Sequence, residues 1–123
     1  MASLSLTKVI LLVEDDMDVR ATVHDLLSDE GYSVVVTRNG AEALAYLKQT
    51  GSLPDLILLD LLMPVMDGWQ FRAEQKRDPR ISCIPLVVYS AIGGPRPPID
   101  AQAVLAKPVC LKDLLSTLER HIA

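Results

Sequence analysis

Acidic side chains follow strand-length apolar runs at two places in this sequence. Three acids, residues 14–16, come directly after the run Val9–Val13, and Asp60 lies between two further apolar runs. A carboxylate in such surroundings is costly unless a cation or another polar group pairs with it. We therefore interpret Asp60 as a nucleophile or a metal ligand. A turn or capping role is the alternative, but the nearest turn signals come later in the chain.

The acidic run and Asp60 together suggest a cation site. If they end neighbouring strands, their oxygens can hold a hard cation such as Mg²⁺, which takes one or two carboxylates and several waters. The cation would also offset the repulsion between like charges. Asp16 has a simpler interpretation as the N-cap of the following helix, although three acids are more than a cap needs.

An amine and a hydroxyl complete the set of chemical groups. Lys107 follows a short apolar run and precedes Pro108, so its ammonium could pair with Asp60 and with an anion bound there. Ser90 ends another apolar run, where a hydroxyl is more often structural than functional. A carboxylate, a divalent cation, an ammonium and a hydroxyl are the groups that phosphoryl transfer to an aspartate requires.

The elements that position these residues alternate between strands and helices. The predicted strands are Val9–Val13, Ser33–Thr37, 56–59, 85–90 and Ala103–Ala106, and the predicted helices are 17–30, 41–49, 67–76 and 111–122. Such alternation indicates an α/β fold with a parallel sheet, in which ligands bind beyond the carboxyl ends of the strands. Residues 91–103 contain two glycines and three prolines, so we expect no regular helix there.

Composition narrows the class of protein. The 123 residues carry a net charge of −4, which argues against a basic nucleic-acid surface. The apolar runs are too short to span a membrane, and no secretory signal is recognisable. Cys83 and Cys110 do not form a metal-binding or disulfide motif. We expect one domain that is located in the cytoplasm.

Several ordered motifs resemble the receiver domain of bacterial response regulators, the CheY-like family. They are Ile10-Leu11-Leu12-Val13-Glu14-Asp15-Asp16, Asn39-Gly40-Ala41-Glu42-Ala43-Leu44, Pro54-Asp55 with the strand up to Asp60, Met63-Pro64-Val65-Met66-Asp67-Gly68, and Ala106-Lys107-Pro108. The resemblance implies a flavodoxin-like (βα)5 fold with a doubly wound, five-stranded parallel sheet of order 2-1-3-4-5. Residues 1–123 would form one receiver domain with an irregular segment at 1–8 and no output domain. A stand-alone regulator and a piece of a larger protein both remain open.

The resemblance also implies roles for individual residues. Asp60 would accept a phosphoryl group from a histidine kinase or a histidine phosphotransfer protein. Mg²⁺ would be held by Glu14, partly through water, and by Asp15, Asp60 and the backbone carbonyl of Leu62. Ser90 and Lys107 would contact the phosphoryl oxygens, with a cis peptide at Pro108. The chain would act as a phosphorylation-dependent switch and not as an enzyme with an external substrate, apart from its own phosphorylation and dephosphorylation.

Two departures from the family pattern concern signal output. Val104 stands where the family has an aromatic residue on the fifth strand, and helix four is expected to be short or missing. Tyr89 is interpreted as an ordinary strand residue, with a substitute for that aromatic as the alternative. We expect the face used for an output protein or a phosphorylation-dependent dimer to be remodelled.

Two other functions remain open, and these departures favour only the first of them. One is a non-phosphorylated pseudo-receiver that acts as an interaction module. The other is a small Mg²⁺-dependent phosphatase with an aspartate nucleophile, which this short chain with its acids at 14–16 fits poorly.

Overall fold

The computed structural model describes residues 7–63, 65–90, 99–107 and 110–122. Within these ranges strands and helices follow the predicted alternation. The strands are β1 (Val9–Val13), β2 (Ser33–Thr37), β3 (Leu56–Asp60), β4 (Leu86–Ser90) and β5 (Ala103–Ala106). The helices are α1 (Met17–Asp29), α2 (Gly40–Gln49), α3 (Gly68–Arg77) and α4 (Leu111–His121). No predicted bound differs from the observed one by more than one residue.

The five strands form one parallel sheet in the order β2-β1-β3-β4-β5, which confirms the predicted fold class. Strands β3 and β4 are buried along their whole length, as expected when helices cover both faces of a parallel sheet. The register pairs Val13 with Leu59, and Asp60 with Tyr89. The carboxyl ends of β1, β3 and β4 therefore lie side by side at one end of the strands, which is called here the carboxyl edge of the sheet.

Alternate residues of each central strand contribute to two separate cores. Leu11 and Val13 face a core that includes residues of α2 and α3. Ile10 and Leu12 face a core that includes residues of α1 and α4. This alternation follows from the pleat of a strand, and it holds the sheet between two layers of helices. No helix among the described residues is long and apolar enough to cross a membrane.

Side-chain caps set the start of the helices that follow the site-bearing strands. Asp16 accepts hydrogen bonds from the backbone N–H groups of Asp18 and Val19, so it is the N-cap of α1. Asp67 caps α3 and exchanges hydrogen bonds with Gln70 in a capping box. The Asp16 cap was expected from the sequence, and the two caps give the loops after β1 and β3 defined ends.

The connection between β4 and β5 is only partly described. Residues 91–98, where the sequence predicts a short or missing helix four, lie outside the described residues, as does the predicted cis peptide at Pro108. Residues 99–102 are described and are not helical. These residues contact other elements instead: Asp100 pairs with Lys76 of α3 at 2.6 Å, and Gln102 exchanges two hydrogen bonds with the backbone of Leu86. This stretch thus runs along α3 and the start of β4.

Candidate functional site

The carboxyl edge of the sheet brings the predicted acids together. Glu14 directly follows β1 and is fully buried, and Asp60 is the last residue of β3 with 4% of its surface exposed. Carboxylate oxygens of Glu14, Asp15 and Asp60 lie within 4.8 Å of one another. Asp15 is exposed to solvent. The acids cluster as the sequence predicts, and the structure adds that two of them are buried while the third is exposed to water.

Asp16 does not belong to this cluster of carboxylates. Its side chain caps α1, and its backbone N–H donates to Oε2 of Glu14 at 3.0 Å. The capping interpretation of Asp16 is thus confirmed. Its peptide group still matters to the site, because it supplies a hydrogen bond to one oxygen of the buried Glu14.

Lys107 provides the positive charge of the site. Its Nζ lies 3.4 Å from Oε1 of Glu14 and 3.4 Å from Oδ2 of Asp60. The Lys107 backbone N–H donates to the carbonyl of Ser90 at 2.7 Å, which fixes the end of β5 against the end of β4. One ammonium therefore lies between two buried carboxylates.

The electrostatic balance of the site raises the pKa of Asp60 to about 6. Burial is the main cause, and the negative charge of Glu14 adds to it. Lys107 and the backbone N–H of Leu62, which donates to Oδ1 at 3.3 Å, act in the opposite direction. The acids outnumber the nearby cation, so a bound divalent cation would stabilise the ionised form of Asp60.

Tyr89 is a member of the site that sequence reasoning missed. Its hydroxyl donates to Oε1 of Glu14 at 2.5 Å, and its ring centroid lies 4.7 Å from Nζ of Lys107. Burial, followed by the contact with Glu14, raises the pKa of Tyr89, so the phenol remains a donor at neutral pH. The available signal was a phenol in an otherwise aliphatic buried strand, since a buried tyrosine hydroxyl needs a partner.

Two other predicted residues lie near this edge, and their roles remain predictions. Ser90 is buried at the end of β4, one residue beyond the Asp60–Tyr89 pair. Leu62 contacts Asp60 through its backbone N–H, while its side chain is 60% exposed. Val104 on β5, which stands where the family has an aromatic residue, is 41% exposed and pairs in register with the buried Val88.

Comparison with known proteins identifies the family to which this chain belongs. Residues 10–119 match the family model of the response regulator receiver domain. The chain therefore belongs to the response regulator receiver family, as the motifs and the strand order indicate.

Individual relatives come from several kinds of signalling protein. The chain is 41% identical over 90 residues to the response regulator Rcp1 of Synechocystis sp., a match that covers 68% of this chain and 61% of that protein. It is 31% identical over 119 residues to a Pyropia yezoensis protein named "Probable transcriptional regulator ycf29", covering 93% of this chain and 53% of the relative. The chain thus spans between about half and two thirds of the length of these two relatives.

Solved structures of receiver domains have the same fold as this chain. The receiver domain of a signal transduction histidine kinase from Syntrophus aciditrophicus has a TM-score of 0.87 and 31% identity, with 94% of this chain and 90% of that chain covered. The receiver domain of the sensor histidine kinase PA1611 from Pseudomonas aeruginosa has a TM-score of 0.86 and 27% identity, with 94% and 98% covered. That second structure carries a magnesium ion in its active site cleft.

The residues of this chain suit a small hard cation. Their donors are carboxylate oxygens, which Mg²⁺ prefers, and the exposed Asp15 leaves an open side for water ligands. Both oxygens of the buried Glu14 accept hydrogen bonds from neutral donors, one from Tyr89 and one from the backbone of Asp16. This pattern suits a carboxylate that acts on a cation through water.

Proposed function

We propose that this receiver domain accepts a phosphoryl group on Asp60 from a phosphohistidine, in a reaction that requires Mg²⁺. The observation that carries the proposal is the position of Asp60 within a cluster of three carboxylates, with Lys107 between Asp60 and Glu14. A merely structural carboxylate would not need two further acids beside it, because their charges oppose its ionisation.

The transfer itself is a substitution at phosphorus. A carboxylate oxygen of Asp60 forms a bond to phosphorus while the bond from phosphorus to the donor's imidazole nitrogen breaks, and the electron pair of that bond returns to the nitrogen. Lys107 would pair with an oxygen of the transferred group, and the Ser90 hydroxyl would donate to another. Asp15, Asp60 and the Leu62 carbonyl would hold the Mg²⁺, with Glu14 acting through water, and the bound cation would neutralise charge on the phosphoryl oxygens.

The partners follow from this chemistry. The donor would be a histidine kinase or a histidine phosphotransfer protein in the cytoplasm, and a separate output protein or a second copy of the domain would recognise the phosphorylated form. The new charge on Asp60 would shift an equilibrium between two surface states through Ser90 and Lys107. We expect no turnover of external phosphate esters beyond self-phosphorylation and loss of that phosphate.

A second candidate is a pseudo-receiver that binds its partner without phosphorylation. The exposed Val104 on β5 favours this alternative, since the usual aromatic residue is missing. The clustered acids and Lys107 favour the phosphorylated receiver, because an interaction module has no need to keep costly buried charges.

Intact-mass measurement after treatment with acetyl phosphate and Mg²⁺ tests the proposal. The wild type should gain one labile phosphoryl group, and the gain should disappear with EDTA or in Asp60→Asn. Asp113→Asn, which changes an exposed carboxylate on α4, is the matched control and should react like the wild type. Absence of an adduct on folded wild-type protein would contradict the proposal and favour the pseudo-receiver.

A further inference from the structure

Tyr89 occupies a position in the acidic site that the proposed chemistry does not use. The phenol enters from β4, where Tyr89 pairs in register with Asp60 of β3 on one side and with Leu105 of β5 on the other. Its side chain is 3% exposed. The residue therefore lies directly between the strand that carries the acceptor aspartate and the strand that leads to Lys107.

The two ends of the Tyr89 side chain contact different charged groups. The hydroxyl donates to Oε1 of Glu14 at 2.5 Å, and the face of the ring lies 4.7 Å from the Lys107 ammonium. A hydrogen bond from a fixed phenol restricts the rotation of the Glu14 carboxylate. The ring attracts the ammonium through its electron-rich face.

Loss of the Tyr89 hydroxyl would change how the Lys107 ammonium divides its contacts between Glu14 and Asp60. Glu14 is fully buried, and its Oε1 has two hydrogen-bond donors among the described residues, Tyr89 and Lys107. Without the neutral phenol donor, the buried charge on Oε1 would depend on the ammonium. Lys107 would then move towards Glu14 and away from Asp60.

We propose that Tyr89 is a positioning residue of the cation site: its hydroxyl orients Glu14, and its ring keeps Lys107 between Glu14 and Asp60. This inference rests on the proposed function, since it assumes that Mg²⁺ binds beside Asp60. It also assigns Tyr89 a part different from that of the aromatic residue missing at position 104, because Tyr89 is buried inside the site rather than placed on an exposed edge.

Calorimetric titration of the unphosphorylated domain with Mg²⁺ tests the proposal. Tyr89→Phe removes only the hydroxyl and should weaken Mg²⁺ binding about tenfold, the size typical for loss of a partner that orients a metal ligand. Tyr46→Phe is the matched control: Tyr46 lies on α2, is partly buried, and packs against the core of α2 and α3. A Kd for Tyr89→Phe within twofold of the wild type, or a tighter one, would overturn the inference.

A double-mutant cycle separates positioning from a general structural effect. In a Glu14→Gln background, Tyr89→Phe should change the Mg²⁺ Kd by less than twofold, because the carboxylate that Tyr89 orients is no longer present. A tenfold loss that persists in this background would show that Tyr89 acts through the fold and not through Glu14.

The wild type alone supplies a measurement that does not depend on how a variant folds. The chain has three tyrosines, so NMR spectra with labelled tyrosine rings contain three sets of signals, which Tyr→Phe variants assign. Titration with Mg²⁺ should shift the Tyr89 signals most, and unchanged Tyr89 signals at saturation would refute the inference. A wild type that binds no Mg²⁺ at all would instead refute the proposed function.

Discussion

The two sides of strand β4 present different environments. On one side, β3 is buried along its whole length and ends in Asp60, whose carboxylate is placed by the register of the central strands. On the other side, β5 alternates between exposed and partly buried residues and lies at the edge of the sheet. The Asp60 carboxylate is thus held by the core, whereas β5 contributes only partly buried residues to it.

This difference indicates where a change of state can occur at low cost. Moving Asp60 would disturb a close-packed core, and such cores have few alternative arrangements. The described part of the stretch before β5 has no fully buried residue: it is held by the exposed ion pair between Asp100 and Lys76, by hydrogen bonds of Gln102, and by partly buried residues that pack against the core, Ile99 and Ala101. Elements with few buried contacts are the ones that open or shift most readily. We therefore expect the β5 side to respond to phosphorylation while the acids remain in place.

The largest effect should come from a methyl group added at Gly68. A Cβ there would lie 2.4 Å from Cδ2 and 2.9 Å from Cα of Leu61, the residue that follows Asp60. The backbone cannot yield without moving the end of β3, so Gly68→Ala should lower the free energy of unfolding by roughly 3 kcal/mol. Urea unfolding of both proteins measures this loss.

Gly51→Ala is the control for that substitution. A Cβ at Gly51 would meet no atom within 4 Å, and the residue lies in the loop after α2. Its stability should remain within about 0.5 kcal/mol of the wild type. Equal stability of the Gly68 and Gly51 variants would show that the loop after Asp60 is looser than the packing indicates.

A second prediction compares the same substitution on the two sides directly. Val88 and Val104 are register partners on β4 and β5, and they are 0% and 41% exposed, respectively. Val88→Ala removes buried methyl groups and leaves a cavity, so it should cost roughly 2 kcal/mol. Val104→Ala should change stability by about 0.5 kcal/mol or less. Similar losses of stability for the two variants in urea unfolding would contradict the contrast between the buried β4 and the partly exposed β5.

Much of this architecture could be predicted from the sequence because its signals are local. The buried strands are continuous apolar runs, and Asp16 and Asp67 have the residue type and position of N-caps. The strand order came from the family resemblance, and the clustering of Glu14, Asp15 and Asp60 followed once that order placed their strands side by side.

The position of Tyr89 could not be obtained in this way. Its hydroxyl contacts Glu14, which is 75 residues away in the sequence, through a contact that depends on the face and register of β4. A phenol in an aliphatic run shows that some partner is needed, but not which one. The contact between the Lys107 ammonium and Glu14 could not be predicted either, since the two residues are 93 positions apart in the sequence.

The third prediction concerns the negative charge of the buried Asp60. The folded state raises the pKa of Asp60 from 3.8 to about 6, so the folded protein binds a proton there more tightly than the unfolded chain does. Stability then falls as pH rises from about 4 to about 6, and the full loss is present above that window. In EDTA at pH 7.5, Asp60→Asn should therefore be more stable than the wild type by up to about 3 kcal/mol, since the pKa is raised by about two units and each unit corresponds to about 1.4 kcal/mol.

Urea unfolding of both proteins at several pH values checks the sign as well as the size. The advantage of Asp60→Asn should shrink as the pH falls and approach zero below about pH 3, where the wild-type carboxyl is protonated in both the folded and the unfolded state. Mg²⁺ at pH 7.5 should also reduce it, because a cation that binds only the folded wild type stabilises that state. Mg²⁺ should stabilise the control Asp113→Asn, which changes an exposed carboxylate on α4, as much as it stabilises the wild type. An Asn variant less stable than the wild type at pH 7.5 without Mg²⁺ would mean that Lys107 overcompensates the burial of Asp60, and that the core side holds its charge without strain.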